Sequence, residues 1–438
     1  MSESEQKVIQ IPEICRVEGH AAVNIEIKDG KVSAVKLDVF EGTRFFERIV
    51  LAHKYDEVAH IGSRVCAICS AGHVLAAIFS IEKIFAFKAS AIELLYRELL
   101  HLGMIIESHA THICALALPD FLKTPQLHDF AENHPNEFSI WLNLRKLGAA
   151  IQTTVGGRPF HPVNMHVGSM SRYPEHEELK TLQTEIDACR DEASTLCNLL
   201  LGLTMPLSKT AEPNYLALIP HGESYGYFGD TVRSSEGWES SVSEYKTYLS
   251  ETAVPGTHAK RTVGNGKPYM VGSLARLYFF SERLGDRARS IYEESPLARG
   301  QSNTILNNLA QGIELVEAMD RSNQIINQLL KMERGKKLKA GDFVPADMSG
   351  AGVGAVECPR GTLYHYYELD SAGLVKAADM LTPSAQNTAR IEQDITCVVE
   401  HGLETNSPVL NEDLETLVRA YDPCNTCATH YVSVKVLD

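Results

Sequence analysis

Two pairs of cysteines, one near each end of the chain, carry the clearest potential for chemistry. The first pair, Cys66 and Cys69, lies in the segment RVCAICSAGH, and the second pair, Cys424 and Cys427, lies in DPCNTCATH. A gap of two residues allows both sulfurs of a pair to face one ion, and thiolates prefer soft or borderline metals. Together the two pairs offer the four ligands of a complete metal site.

The spacing alone leaves the kind of site open. Four thiolates are also the ligand set of structural zinc, and two unrelated turns of this type need not bind any metal. Local zinc ribbons bring their cysteine pairs close together in sequence, whereas nearly the whole chain separates Cys69 from Cys424. By spacing alone, structural zinc or no metal is about as well supported as a catalytic metal.

Size and charge restrict the class of protein. The chain has 438 residues, 44% of them hydrophobic, and a formal net charge of −15. A chain of this size can bury a large core in one big domain or two. Its acidic balance argues against nucleic acid and anionic membrane surfaces as main partners.

The N-terminal segment, the apolar stretches and the use of cysteine indicate the cellular compartment of the protein. The N-terminal segment lacks the basic region and apolar run of a signal peptide. The best candidate for a membrane span, residues 73–87, is interrupted by Glu82 and Lys83, so we expect no direct membrane span. A chain this large does not need a disulfide framework, and six of its ten cysteines show no pairing pattern. These features predict a cytoplasmic protein.

Hydrophobic periodicity predicts the elements that must position the cysteines. Alternation over residues 23–40 predicts a hairpin that turns at Asp29 and Gly30. Helical spacing predicts four long helices, over residues 90–118, 137–155, 175–203 and 302–333. We therefore predict an α+β fold, mainly α, with a large helical bundle core and small peripheral β-rich segments.

Further motifs occur in a fixed order along the chain: RVEGH (16–20), EGTRFFE (41–47), GGRPFHPVN (156–164), ECPRG (357–361) and LTPSAQN (381–387). Together with the two cysteine segments, they resemble the large, catalytic subunit of nickel–iron hydrogenases. The resemblance runs from about residue 8 to the end and is most similar to the cytoplasmic multi-subunit members, which are linked to NAD(P), deazaflavin, ferredoxin or sulfur.

The resemblance implies a single large-subunit domain over residues 1–438, with the fold of that family. Its parts are a β-rich segment (8–63), a helical core (64–203 and 300–335), a mixed insertion (204–280), a C-terminal segment that completes the metal site (340–430) and a tail (431–438). In the family, a maturation protease usually removes such a tail after nickel is inserted.

The resemblance also implies roles for the residues around the cysteines. Cys66, Cys69, Cys424 and Cys427 would hold nickel, and Cys69 and Cys427 would also bridge to an iron that carries carbon monoxide and cyanide ligands. H2 would be cleaved heterolytically, with the proton passing through a terminal thiolate, Cys424, to Glu18. Without the family, Glu18 would be interpreted as a surface glutamate at the start of a strand.

Residues outside the two cysteine segments complete the implied site. Arg360 and Ser384 would lie against the cyanide ligands, and His73 would hydrogen-bond to a bridging sulfur rather than bind metal. Glu47 and His430 would bind Mg²⁺. These residues also have ordinary alternatives. Arg360 could be a turn arginine in a salt bridge and Ser384 a serine of a turn. Glu47 could be a solvated glutamate, and His430 a buried histidine or a zinc ligand.

Several other residues have weaker expectations. Asp422 is expected to orient Arg360 or nearby backbone, and His161 belongs to the surroundings of the site without an assigned role. His109 and His112, three residues apart on a helix, are more often buried hydrogen-bonded histidines than metal ligands. We interpret the remaining cysteines as buried small apolar residues: Cys15, Cys114, Cys189, Cys197, Cys358 and Cys397.

The resemblance implies partners as well. Because no further cysteine cluster occurs, this chain is expected to hold no iron–sulfur cluster, and electrons would leave through an iron–sulfur small subunit. Further diaphorase or electron-transfer subunits, nickel chaperones and a maturation protease are the other expected partners, and H2 is the substrate. Two alternatives stay open: a non-catalytic subunit like that of respiratory complex I, and a zinc-bound structural protein.

Overall fold

The computed structural model describes residues 6–43, 45–206, 209–339 and 342–429. His430 and the tail 431–438, to which the sequence assigns a metal ligand and a maturation peptide, lie outside the described residues. Helix predominates over strand, as the sequence predicts. The α-helices are α1 Phe46–Ile49, α2 Val58–Gly62, α3 Ser70–Ile84, α4 Ala91–Thr111, α5 Leu118–Phe121, α6 Leu127–Asn133, α7 Pro135–Gly156, α8 His176–Gly202, α9 Tyr245–Tyr248, α10 Ser273–Phe280, α11 Asp286–Glu294, α12 Asn307–Leu329, α13 Pro383–Thr405, α14 Asn411–Ala420 and α15 Asn425–Ala428.

The strands form five small antiparallel sheets in the described part of the chain. Their orders are β1-β2-β3, β4-β5, β6-β7-β8, β9-β10 and β11-β12-β13. The strands are β1 Gln6–Ile11, β2 Ala21–Lys28, β3 Lys31–Val39, β4 Met165–His166, β5 Ser169–Met170, β6 Leu216–Leu218, β7 Thr231–Ser234, β8 Glu239–Ser241, β9 Leu249–Thr252, β10 Arg261–Gly264, β11 Gly350–Cys358, β12 Gly361–Leu369 and β13 Val375–Leu381.

The centre of the molecule is a bundle of α4, α7, α8 and α12, in which each helix packs against two of the others. These four helices confirm the four predicted from periodicity. Local signals set their ends: Ser90 and Glu93 form a reciprocal capping box before α4. The helix α7 begins with Pro135 and ends before Gly157, whose φ of 84° suits glycine.

The helix α4 is longer and more apolar than the sequence analysis allowed. It continues through a π-helical turn, His112–Ala117, into α5, so it runs past Pro119 to Phe121 rather than ending at the proline. The combined helix Ala91–Phe121 is long and apolar enough to cross a membrane, so it replaces residues 73–87 as the best candidate span. Its apolar window is 89% buried inside the protein, as in the core helix of a globular domain.

Two glycines allow α4 and α7 to touch. A Cβ added at Gly148 on α7 would lie 2.6 Å from the carbonyl oxygen of Gly103 on α4 and 2.8 Å from the amide nitrogen of Glu107. A Cβ at Gly103 would lie 3.0 Å from the carbonyl oxygen of Gly148. The absence of both side chains therefore sets the separation of these two helices.

The predicted hairpin is formed by β2 and β3. Asp29 and Gly30 connect the strands with φ values of 50° and 73°, the left-handed conformation that a two-residue hairpin turn requires at both positions. The insertion over 204–280 contains the expected short strands, β6 to β10, together with α9 and α10.

A second hairpin, formed by β11 and β12, lies against α3. A Cβ added at Gly354 would overlap the carbonyl oxygen of Ala76, and one added at Gly352 would overlap that of Ser80. The strand β11 therefore packs directly onto the backbone of α3, the helix that follows Cys69. Cys358 pairs with Gly361 across the hairpin, which leaves Pro359 and Arg360 as its two-residue turn.

The cysteines outside the two pairs differ in burial. Cys114, Cys197 and Cys358 are buried, as predicted. Cys189 and Cys397 are only partly buried, and Cys15 is exposed, so the prediction of a buried apolar role is wrong for these three. Cys15 immediately precedes the partly buried residues 16–19, and the local sequence does not show its exposure.

We expect Gly148→Ala to lower the free energy of unfolding by about 1–3 kcal/mol, because its methyl group would force α4 and α7 apart. Gly202→Ala is the matched control: no atom lies within 4 Å of a Cβ at that position. Alanine there should be neutral or stabilising by up to about 1 kcal/mol, since it favours the helix. Chemical denaturation of both variants measures the difference, and equal stabilities would contradict the packing argument.

Candidate metal centre

The two cysteine pairs meet in the interior, although they come from opposite ends of the chain. Cys66 has an extended backbone and directly follows a short 3-10 turn. Cys69 is the N-cap residue of α3. Cys424 immediately precedes the short helix α15, and Cys427 lies within it. All four side chains are at most 4% exposed.

Three of the four sulfurs form a compact group. The Sγ atoms of Cys66, Cys424 and Cys427 all lie within 4.8 Å of one another. The Cys66 and Cys424 sulfurs are 3.5 Å apart, and those of Cys424 and Cys427 are 2.9 Å apart. A tetrahedral centre with metal–sulfur bonds of about 2.3 Å separates its sulfurs by about 3.8 Å. The distance between the sulfurs of Cys66 and Cys424 is close to this value, and that between Cys424 and Cys427 is shorter.

Cys69 lies beside this group and differs from it electrostatically. Hydrogen bonds from the thiols of Cys424, Cys427 and Cys66 lower the pKa of Cys69 well below its usual range, and the charge of Arg360 acts in the same direction. Burial raises the pKa of Cys424 well above its usual range. Cys69 is therefore the thiol whose ionisation its neighbours favour, whereas burial opposes ionisation of Cys424.

Arg360 is held against the cysteines by Asp422. Its Nη1 donates to the sulfur of Cys69 at 3.3 Å, its Nη2 donates to Oδ1 of Asp422 at 2.8 Å, and its Nε donates to the Asp422 carbonyl at 2.6 Å. The other carboxylate oxygen of Asp422 accepts from Gln311 at 3.1 Å. The guanidinium is thus fixed in direction, and the predicted contact of Asp422 with Arg360 is present.

A second buried arginine fixes the turn that carries Arg360. Arg276 donates to the carbonyl oxygens of Cys358 at 3.0 Å and Pro359 at 3.2 Å. It also pairs with the carboxylates of Glu314 at 2.6 Å and Glu357 at 2.9 Å. Sequence reasoning did not identify this network, since its members lie far apart in the chain and only the fold brings them together.

Glu18 contacts the second cysteine pair directly. Its Oε2 lies 3.1 Å from the sulfur of Cys424 and accepts from the amide of Thr426 at 3.0 Å. The Thr426 hydroxyl donates to Oε1 at 2.5 Å. The backbones join as well, because Asn425 donates its amide to the Glu18 carbonyl at 2.9 Å. Thr426 lies inside the cysteine motif, and that position was the only signal in the sequence that could have indicated it.

Ser384 and His73 lie close to the cysteines but have partners that the sequence did not indicate. The hydroxyl oxygen of Ser384 accepts from the amide of Cys424 at 2.9 Å. The Nδ1 atom of His73 lies 2.9 Å from Nε2 of His365. His365 in turn lies 2.9 Å from the hydroxyl of Tyr367. A buried chain of two imidazoles and a phenol therefore leads away from α3.

The remaining expected site residues are placed as follows. Glu47 lies in α1 and is partly buried, and its charge contributes to the raised pKa values of Tyr367 and Lys260. The position of its expected partner, His430, is not described. The Nδ1 atom of His161 lies 2.9 Å from the carbonyl oxygen of Ser63.

His109 and His112 are engaged by protein partners. His109 lies 2.8 Å from Glu314, and His112 lies 2.5 Å from Gln311 and 2.8 Å from the carbonyl of Arg419. Among the described residues, the cysteine group is the one cluster of histidine, cysteine or acidic side chains close enough to share a metal ion. The interpretation of these two histidines as hydrogen-bonded core residues is therefore the better one.

Comparisons with known proteins identify the family. A profile of the family described as nickel-dependent hydrogenase matches residues 233–430. The chain is 33% identical to the alpha chain of sulfhydrogenase 1 from Pyrococcus furiosus, over 97% of this chain and 98% of that protein. It is 30% identical to one of the subunits of an F420-non-reducing hydrogenase from Methanococcus voltae, over 90% and 98% of the two chains.

A solved structure shares the fold. An NAD+-reducing nickel–iron hydrogenase in its H2-reduced state superposes with a TM-score of 0.86, covering 98% of this chain and 100% of the other at 23% identity.

We expect a thiol reagent to label Cys15 first in the native, metal-free chain, because Cys15 is exposed and the four central cysteines are buried. The central thiols should react only when the site opens. Peptide mass spectrometry over a time course identifies the order of labelling. Cys15→Ser should remove the fast phase, whereas Cys114→Ser should leave it; fast labelling of Cys424 or Cys427 would contradict the buried site.

Proposed function

Because the chain belongs to the nickel-dependent hydrogenase family and is the catalytic large subunit of a hydrogenase, we propose that its four central cysteines hold the nickel–iron centre. Cys66, Cys69, Cys424 and Cys427 would bind nickel, and Cys69 and Cys427 would also bind the iron with its carbon monoxide and cyanide ligands. The observation that carries the proposal is the meeting of both cysteine pairs in one buried group beside Glu18. Soft thiolate donors suit these metals.

The reaction is the reversible heterolytic cleavage of H2 into protons and electrons. When bound, the nickel–iron centre supplies the site at which H2 is polarised and its electrons are accepted. The protein manages the proton: the sulfur of Cys424 lies 3.1 Å from Oε2 of Glu18, within reach of direct transfer. Thr426 holds the carboxylate in place through its amide and its hydroxyl.

Arg360 supplies fixed positive charge. Its guanidinium contacts the sulfur of Cys69 and is oriented by Asp422, so it stabilises thiolates in a site that burial makes unfavourable for negative charge. We assign the cyanide ligands of iron to this guanidinium and to the hydroxyl of Ser384, which keeps a hydrogen to donate while its oxygen accepts from Cys424. His73 is assigned to the bridging sulfur, with its orientation set by His365.

A magnesium ion bound by Glu47 and His430 completes the proposed site. The carboxylate of Glu47 is partly buried near Tyr367, and a hard oxygen donor suits magnesium.

The chain belongs to a multi-subunit enzyme, since its relatives are alpha subunits of such hydrogenases. We propose that electrons leave through the iron–sulfur clusters of a small subunit. They would then pass, through diaphorase or other electron-transfer subunits, to a soluble acceptor such as NAD(P) or ferredoxin. Support comes from the related NAD+-reducing enzyme and from the sulfhydrogenases. We place the enzyme in the cytoplasm and assign the insertion of nickel to chaperones and the removal of residues 431–438 to a maturation protease.

We expect Glu18→Gln to lower H2 turnover by a factor of about 10²–10⁴, because an amide cannot accept the proton from Cys424. Nickel and iron contents should stay unchanged, since Glu18 is not assigned to the metals. Glu13 is an exposed glutamate nearby on the same segment. The variant Glu13→Gln is therefore the control and should keep full activity. Assays of H2 uptake and metal analysis measure both properties, and full turnover in Glu18→Gln would exclude the relay.

We expect the mature chain to end at His430 and to contain one nickel and one iron, as measured by intact mass and metal analysis. Cys427→Ser should lose nickel because it removes an assigned ligand, whereas Cys397→Ser should retain it. A chain that keeps residues 431–438 with iron but no nickel would be a precursor. Zinc alone in the wild-type chain would contradict the proposed centre and favour a structural metal site.

A further inference from the structure

A cavity of 230 Å³ lies directly beside Glu18 and Arg360. Its far wall is formed by α4 and α7, which contribute Glu107, Ser108 and Arg145. Since a water molecule occupies about 30 Å³ in the liquid, the cavity has room for several waters. It therefore connects the carboxylate of Glu18 with the helices α4 and α7.

Glu107 is a buried carboxylate that faces this cavity. Glu107 is 6% exposed. Its Oε2 accepts a hydrogen bond from Gln152 at 2.7 Å, and its Oε1 lies 3.7 Å from Nε of Arg145. The side chain of Arg145, which lines the same cavity, is 49% exposed, so solvent lies next to the pair formed by Glu107 and Arg145. The contact of α4 with α7 at Gly148 sets this position, because Gly148 packs against the backbone of Glu107.

A second observation indicates water in the cavity. The hydroxyl of Ser108, next to Glu107 in the cavity wall, is buried and has no hydrogen-bond partner among the described residues. A buried hydroxyl without a partner is costly, and a bound water satisfies it. The hydroxyl of Thr111 lies on the same wall one turn later.

We propose that Glu107 is the second carboxylate of the proton route, exchanging protons with Glu18 through water in the cavity and with solvent beside Arg145. This inference rests on the proposed function of Glu18. During H2 oxidation, protonated Glu18 gives its proton to the water chain, the chain protonates ionised Glu107, and Glu107 releases a proton to solvent. Each transfer moves one proton and no electrons, and the reverse order supplies protons for H2 formation.

The acidity of Glu107 suits this task. Burial raises its pKa to about 7, although Arg145 and Gln152 act in the opposite direction. A relay works best when its pKa lies near the working pH, because both protonation states are then populated. The other charged or titratable groups that line the cavity are Glu18, His112 and Arg360.

The test uses the purified, metal-loaded enzyme complex with Glu107→Gln, Glu107→Asp and Glu317→Gln. Glu317 is a matched control, since burial raises its pKa to about 7 as well, but it lies on α12 and accepts from Gly285 at 2.7 Å, outside the cavity. H2 turnover is measured from about pH 5 to 9, and infrared spectroscopy of the metal-free chain follows protonated carboxyl groups over the same range.

We expect Glu107→Gln to slow turnover at least about tenfold and to remove the inflection near pH 7, with nickel content unchanged. Glu107→Asp should recover part of the rate. The infrared spectra should lose a carboxyl band that titrates near pH 7 in Glu107→Gln, and a different band in Glu317→Gln, whose turnover stays at the wild-type level.

This inference is overturned if Glu107→Gln keeps the wild-type turnover and pH profile. If Glu18→Gln is slow in the same assay, the proposed function stays intact. Wild-type turnover in both variants would overturn the relay through Glu18 as well. If Glu107→Gln loses nickel or fails to fold, the infrared titration of the wild-type chain and of Glu107→Asp decides. A carboxyl band that titrates near pH 7 and shifts in Glu107→Asp would support the inference. Without such a band, Glu107 would have a structural role only.

Discussion

The contact between the two ends of the chain is the constraint on which the site depends. Glu18 and Cys424 lie side by side in a short parallel bridge, and Asn425 donates its amide to the carbonyl of Glu18. Gly19, with a φ of 77°, allows this approach, since a Cβ there would lie 3.0 Å from the Cβ of Asn425. One contact thus places the assigned proton acceptor against the assigned terminal thiolate and completes the cysteine group. Closing so long a loop costs chain entropy, so this contact depends on the packing of the intervening fold.

Buried charge holds the rest of the site in place. Arg276 fixes the carbonyls of the turn before Arg360, and Asp422 fixes the guanidinium that follows. Ion pairs in such a dry interior do not by themselves add much net stability, because each charge has lost its water. Their effect is directional: every oxygen and nitrogen of these side chains is committed to a named partner, so the positive charge at the cysteines cannot move. A site that cycles between charge states benefits from a cation with one fixed position.

The helical bundle has a second role in this arrangement. Glycines bring the backbones of α4 and α7 into contact at Gly103 and Gly148. Side chains of the same two helices, among them Glu107 and Arg145, line the cavity beside Glu18. The close contact of the helices therefore fixes the positions of these side chains relative to the site.

The sequence by itself determined the ligand types, the order of the motifs, the four long helices and the hairpin at Asp29 and Gly30, because periodicity, turn chemistry and donor atoms are local properties. Only the tertiary structure decided that the sulfur of Cys69 contacts Arg360, that Thr426 holds Glu18, that Cys15 is exposed, and that Glu107 shares a cavity with Glu18. These facts concern residues tens to hundreds of positions apart. Burial and proximity at that range come from the packing of whole elements, which no spacing along one chain records.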